Sequence, residues 1–178
     1  MRLTPPPHAG PGDLSLQPGE VWFGAAPARV RTLLGSCVAL TLWHPGLRVG
    51  GMCHYLLPSR GPHTTRTLDG RYGNEAFALL LREIRRRGAV PAQFEAKLFG
   101  GGRMFASQPG ATLPGMDVQQ RNVTQARALV AANGLALRAE HLGGVGHRLI
   151  VLDLATGDVW MRHTPLTLPH SDFAALAP

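Results

Sequence analysis

Cysteine is scarce: the 178-residue chain has two, Cys37 and Cys53. Two thiols cannot build a disulfide scaffold or a cysteine-rich zinc site, and a reducing compartment would keep both free. Charged residues are few at 16 % and aromatics fewer at 6 %, whereas 44 % of the chain is hydrophobic. This balance excludes intrinsic disorder and predicts a core of Leu, Val and Ala. No uninterrupted apolar run approaches the roughly 20 residues that span a bilayer. Met1 to Gly12 holds prolines where a signal peptide would hold an apolar stretch, so a cytoplasmic protein without membrane insertion is expected.

The chain is rich in 22 glycines and 15 prolines, which predict many turns between short elements. Its net charge of +7 favours acidic partners: nucleic acid, an anionic membrane face or a Glu-rich protein surface. The one dense basic run, Arg82 with Arg85, Arg86 and Arg87, falls in a helical setting and reads as a solvated face. No block alternates basic with aromatic residues, which weighs against nucleic acid.

Residues 1–18, with Pro5-Pro6-Pro7, read as a loose arm. Val21-Trp22-Phe23 begins a strand before Gly24. Val38 to Trp43 is an apolar run of strand length, His44-Pro45-Gly46 ends it with a turn, and Val49 to Leu57 returns beside it. Ser59 to Gly73 is a long exposed loop. Phe77, Leu80, Leu81 and Ile84 then share one face of a helix, which Asn74 caps and Gly88 closes. Glu95 to Phe99 reads as a strand entering Gly100-Gly101-Gly102, and Asn122 to Ala132 as a second helix stopped by Asn133-Gly134. Leu135 to Glu140 is a further strand, and His147 to Asp153 with Val159 to Arg162 form a second hairpin. The organisation expected is an arm (1–18), a single α/β domain (19–162) and a tail (163–178).

Cys37 stands where a Gly35-Ser36 turn enters a strand, and such a turn allows close backbone approach to a substrate. A nucleophilic thiol needs access, oxyanion-stabilising N–H groups and a nearby base. His54, on the returning strand, can supply that base if antiparallel pairing brings it alongside. The competing reading is a buried inert thiol and a packed histidine, which spacing alone does not displace. Cys53 adjoins His54 and so points to the opposite face of its strand, as a structural thiol. The remaining histidines lack metal-site spacing, and Gly100-Gly101-Gly102-Arg103 lacks the Lys-Ser/Thr of a phosphate loop, leaving a glycine-lined wall or tight turn.

Thr32-Leu-Leu-Gly-Ser-Cys37-Val-Ala-Leu, followed by Gly50-Gly-Met-Cys-His54-Tyr-Leu-Leu-Pro58, resembles the chemoreceptor glutamine deamidase family (CheD). Leu16 to Glu20, Ala96 to Phe105, Arg121-Asn122-Val123, and Gly143-Gly144 with Arg148 resemble further blocks of that family. The resemblance implies a layered α/β fold, similar to other thiol hydrolases, with mixed β-sheets packed between helices. It implies Cys37 as nucleophile and His54 as base, with no metal or organic cofactor. It also implies a chemoreceptor as substrate and a CheC-type phosphatase as a regulatory partner. Backbone N–H groups around Gly35, Ser36 and Cys37 are the candidates for an oxyanion hole.

The family's third member is a Thr six positions before the Cys, where this chain has Arg31. Thr32 is one place closer, and a one-residue shift on a strand turns a side chain to the other face. Thr32 is therefore carried as the third candidate with its role open. His141 stands near Gly143 where an acidic residue is usual. Three readings follow: a protein-glutamine deamidase, an adaptor that binds receptors or a phosphatase without catalysing, and a basic nucleic-acid-binding protein.

Overall fold

A computed structural model describes residues 13–61, 67–104 and 118–166. Nine strands are assigned within them: β1 (Leu14–Ser15), β2 (Val21–Ala25), β3 (Arg29–Leu34), β4 (Val38–His44), β5 (Val49–Tyr55), β6 (Glu95–Gly100), β7 (Ala136–Leu142), β8 (His147–Asp153) and β9 (Val159–Thr164). Two α-helices join them, α1 (Gly73–Arg86) and α2 (Val118–Ala132). The strands make two mixed sheets, one in the order β1-β3-β8-β9 and one in the order β2-β5-β4-β6-β7.

Alternation along β4 and β5 decides how these layers stack. Val38, Leu40, Leu42, Cys53 and Tyr55 face one way and pack with Ala76, Phe77, Leu80 and Ile84 of α1 and Ala126 and Val130 of α2. Ala39, Met52 and Phe99 face the other way and meet Val30, Leu34, Ile150, Leu152 and Met161 of the four-stranded sheet. The expected α/β fold of mixed sheets and helices is thus present; among the described residues both α-helices lie on one side, so the layers run helices, five-stranded sheet, four-stranded sheet, rather than sheets between helices. Each interface is lined by side chains that are almost fully buried, the condition under which apolar area stabilises a fold.

The β4–β5 hairpin matches the sequence expectation, with Ala39 opposite His54 and His44 opposite Val49. His44 Nδ1 accepts the N–H groups of Gly46 and Leu47 at 3.1 Å, closing the turn. Several boundaries differ. The α1 helix has no side-chain cap: its first residue is Gly73, Tyr72 holds the N-cap position, and the Tyr72 carbonyl accepts from Ala76. Asn74 therefore lies inside the helix. Gly88 does close it, at φ +69°. The second helix begins at Val118, one turn before the expected Asn122. Strand β3 had no counterpart in the sequence reading.

The supposed arm is structured from its thirteenth residue on. Leu14 and Ser15 pair in parallel with Val30 and Arg31, and Leu16 is buried. The arm's first twelve residues, residues 62–66 of the long loop and most of the expected tail lie outside the described residues. What is described of that loop is anchored by Glu75, which holds Arg60 through two 2.7 Å bonds and accepts the Asp69 N–H at 2.8 Å.

Candidate functional site

His54 points from β5 into the space between the sheets and is 1 % exposed. Across that space stands Thr32 of β3, 2 % exposed, its Oγ1 2.8 Å from His54 Nδ1. The same hydroxyl donates to the Leu16 carbonyl at 2.7 Å. A threonine has one hydroxyl proton, so toward the imidazole Oγ1 acts as acceptor and Nδ1 carries the hydrogen. The Nε2 lone pair is left free. Nε2 and Asn122 Oδ1 are the two buried side-chain polar atoms without a hydrogen-bond partner among the described residues.

Cys37 immediately precedes β4 and packs, half-buried, on the same side of the sheet as Ala39. Because Ala39 lies opposite His54, Cys37 is the diagonal cross-strand neighbour of the imidazole. Such diagonal side chains are within reach of each other, with Cβ atoms about 7 Å apart or less. Cys53 faces the helices from the other side, fully buried, and burial pushes its thiol up to about 12. The two cysteines thus lie on opposite sides of the sheet, and both are free thiols.

Burial decides the resting charge of the pair. It lowers His54 to about 4, so the imidazole is neutral near pH 7. It raises the Cys37 thiol, an effect opposed by hydrogen bonds from the Ser36 side chain and from the Cys37 backbone. The site at rest is a neutral thiol beside a neutral imidazole whose free nitrogen can accept a proton.

Arg31 and Thr32 resolve the one-residue displacement. Val30, Thr32 and Leu34 are the inward residues of β3, whereas Arg31 is on the outer face and contributes its carbonyl to the Leu16 N–H at 2.8 Å. Thr32 is therefore the residue the geometry brings to the histidine.

The turn that carries Cys37 is held by its carbonyls. Gly102 N–H donates to Gly35 O at 2.8 Å, Asn122 Nδ2 to Ser36 O at 3.4 Å, and Gly101 N–H to Cys37 O at 2.7 Å. The glycine block packs against the Cys37 segment, with Gly100 at φ +112° and Gly101 at φ +62°. Behind it lies Arg148, 1 % exposed. Its guanidinium donates to His141 Nδ1 at 2.7 Å, to Gly146 O at 3.4 Å and to Gly143 O. His141 Nδ1 thus accepts a hydrogen bond from the buried guanidinium.

Sequence reasoning missed Asn122 as part of the site. The available signal was a polar residue four places before Ala126, on the stripe by which α2 meets the sheet. Among the described residues no group of three or more His, Cys, Asp or Glu side chains is placed to hold a metal ion. No described helix is long and apolar enough to cross a membrane.

Comparison with known proteins gives this geometry its setting. A family model described as CheD chemotactic sensory transduction matches residues 56–163. A protein of Pseudomonas syringae pv. tomato named "Probable chemoreceptor glutamine deamidase CheD" is 46 % identical over 90 % of this chain and 94 % of its own length. One of Dechloromonas aromatica named "Probable chemoreceptor glutamine deamidase CheD 3" is 48 % identical over 86 % of this chain and 90 % of its own. The family-model match begins beyond both Cys37 and His54. A solved structure titled as hypothetical protein YfiH of Bacillus licheniformis aligns at 14 % identity over 67 % of this chain and 49 % of that one, with a TM-score of 0.38. On the family model and these relatives, the chain belongs to the CheD family.

Proposed function

We propose that this protein hydrolyses glutamine side chains of a chemoreceptor to glutamate, with Cys37 as nucleophile, His54 as base and Thr32 as the group that orients the base. The observation that carries the reading is the Thr32–His54 contact. It leaves Nε2 as an unpartnered acceptor on the side of the sheet where Cys37 lies.

As Cys37 Sγ attacks the carboxamide carbon, His54 Nε2 takes the thiol proton. The neutral resting pair makes this transfer part of the attack. Thr32 accepts from Nδ1 throughout, so the imidazolium that forms keeps its orientation. The tetrahedral oxyanion sits against backbone N–H groups of the Gly35-Ser36-Cys37 turn. Imidazolium then protonates the nitrogen, the C–N bond breaks and ammonia departs, leaving a thioester. Water gives a proton to Nε2 as its oxygen attacks, the C–S bond breaks, and the thiolate recovers its proton. The product is a glutamate side chain, and no step requires a metal or organic cofactor.

The substrate reading rests on the relatives' names, and the charge agrees with it. A net +7 speeds encounter with an acidic receptor surface through long-range attraction. Family membership also supports a CheC-type phosphatase as partner, the cytoplasm as the location, and residues 19–162 as the catalytic domain. The adaptor reading drew its motive from Arg31 at the usual threonine position, and Thr32 at the imidazole removes that motive. Ammonia release from a receptor cytoplasmic fragment tests the proposal. Wild type should release it and Cys37→Ala should not; equal release by both would refute the assignment.

A further inference from the structure

Three consecutive peptide carbonyls, those of Gly35, Ser36 and Cys37, are each held by a donor. For the outer two the donor is backbone, the N–H groups of Gly102 and Gly101. For the middle one it is a side chain, Asn122 Nδ2, which also donates to Leu56 O at 2.8 Å. Ser36 ends the turn before the nucleophile and Leu56 follows the base by two residues. One amide therefore ties the nucleophile segment to the strand that carries His54.

The Ser36–Cys37 peptide is trans, and in a trans peptide the C=O and N–H point in opposite directions. Asn122 reaches Ser36 O from α2, on the helix side of the five-stranded sheet. Gripping the carbonyl from that side turns the Cys37 N–H the other way, toward the space that holds the thiol and His54. The amide also has its own anchor, since Tyr55 Oη donates to the Asn122 backbone carbonyl at 2.6 Å.

Asn122 is completely buried, and its Oδ1 has no partner among the described residues. A buried acceptor left unpaired is unfavourable, and an apolar residue at the same place on the α2 stripe would avoid it. The Nδ2 half is what the position uses.

We propose that Asn122 is a positioning residue for the deamidation site: its grip on the Ser36 carbonyl aims the Cys37 N–H at the oxyanion of the tetrahedral intermediate. This rests on the deamidase reading above. It acts on the acyl chemistry through the peptide plane, leaving thiol and imidazole to other contacts.

The test compares two reactions of the same thiol. Deamidation of a receptor fragment builds an oxyanion; alkylation of Cys37 by iodoacetamide is a displacement that builds none. In Asn122→Ala, kcat for deamidation should fall about tenfold to a hundredfold, less than the full loss of one oxyanion donor. KM should stay within about threefold and the alkylation rate within about twofold of wild type. Asn122→Asp keeps the shape and places an acceptor against the two carbonyls, so the same split is expected from a second variant. Thermal unfolding of both reports their folding. Deamidation and alkylation falling together, neither changing, or both variants failing to fold would overturn the proposal. If wild type itself releases no ammonia, the deamidase reading fails instead.

Discussion

The Thr32 hydroxyl lies 2.8 Å from His54 Nδ1 and spends its one proton on the Leu16 carbonyl. This pair of contacts fixes the imidazole tautomer and so decides which nitrogen keeps a free lone pair. Thr32→Val keeps shape and volume but removes the acceptor. Receptor deamidation should lose about tenfold to a hundredfold in kcat, less than the full contribution of general-base catalysis. Thr32→Ser should retain most of the rate. Steady-state kinetics on all three proteins checks the claim, and an unimpaired valine variant would remove Thr32 from the mechanism.

Arg31 supplies the complementary case. Its side chain is on the outer face of β3 and only its carbonyl is used within, by the Leu16 N–H. Arg31→Ala should therefore change deamidation by less than about threefold, as for surface substitutions in general. A larger loss would mean that position 31 acts in the site after all.

How far the sequence revealed this arrangement depends on the range of each signal. The β4–β5 hairpin was readable because its apolar runs and its His44-Pro45-Gly46 turn are local. The opposite facing of Cys53 and His54 followed from strand periodicity alone. Strand β3 alternates as well, but its inward set includes Thr32 and its outward set includes Leu33, which is 59 % exposed. An exposed leucine and a buried threonine blur the pattern that marks a half-buried strand. Whether Thr32 or Arg31 faced the histidine depended on a register set by pairing with β8, where Thr32 lies opposite Ile150. Asn122 was visible only as part of a motif, since its partners Ser36 and Leu56 are far away in the chain. Asn74 suited a helix cap by residue type, but the backbone of Tyr72 took that position.

Stability should depend on pH through His54. Its folded value is lowered to about 4 by burial, from an ordinary 6.5. The unfolded chain therefore binds a proton that the folded one refuses between those values. This contribution is fully present above pH 6.5 and is lost as pH falls to about 4, a total of about 3 kcal/mol. Urea unfolding midpoints for wild type should decline over this window more steeply than those of His54→Gln. Parallel curves would show that the imidazole protonates freely in the folded protein.

The thiol should behave as an unactivated one until substrate arrives. Burial raises Cys37 above its ordinary value, so the rate of alkylation by iodoacetamide should keep climbing between pH 7 and pH 9, by about tenfold per unit. A plateau near neutrality would indicate a thiolate–imidazolium pair at rest.

Gly100 meets the Cys37 segment without room for a side chain. At φ +112°, a Cβ there would run into the Cys37 carbonyl oxygen. Gly100→Ala should lower stability by about 2–4 kcal/mol, from backbone strain and the clash together. Denaturant unfolding checks this, and a shift under 1 kcal/mol would mean that the turn yields easily.

The central claim is hydrolysis of a glutamine side chain through a Cys37 thioester. The most direct measurement is intact-mass and peptide analysis of a receptor cytoplasmic fragment treated in ¹⁸O-enriched water with wild type or Cys37→Ala. The account predicts a gain of about three daltons at each converted glutamine, one from replacing the amino group and two from the heavy solvent oxygen, in the wild-type reaction alone. Conversion by the alanine variant, or no conversion of a cognate receptor by folded wild type, would contradict it.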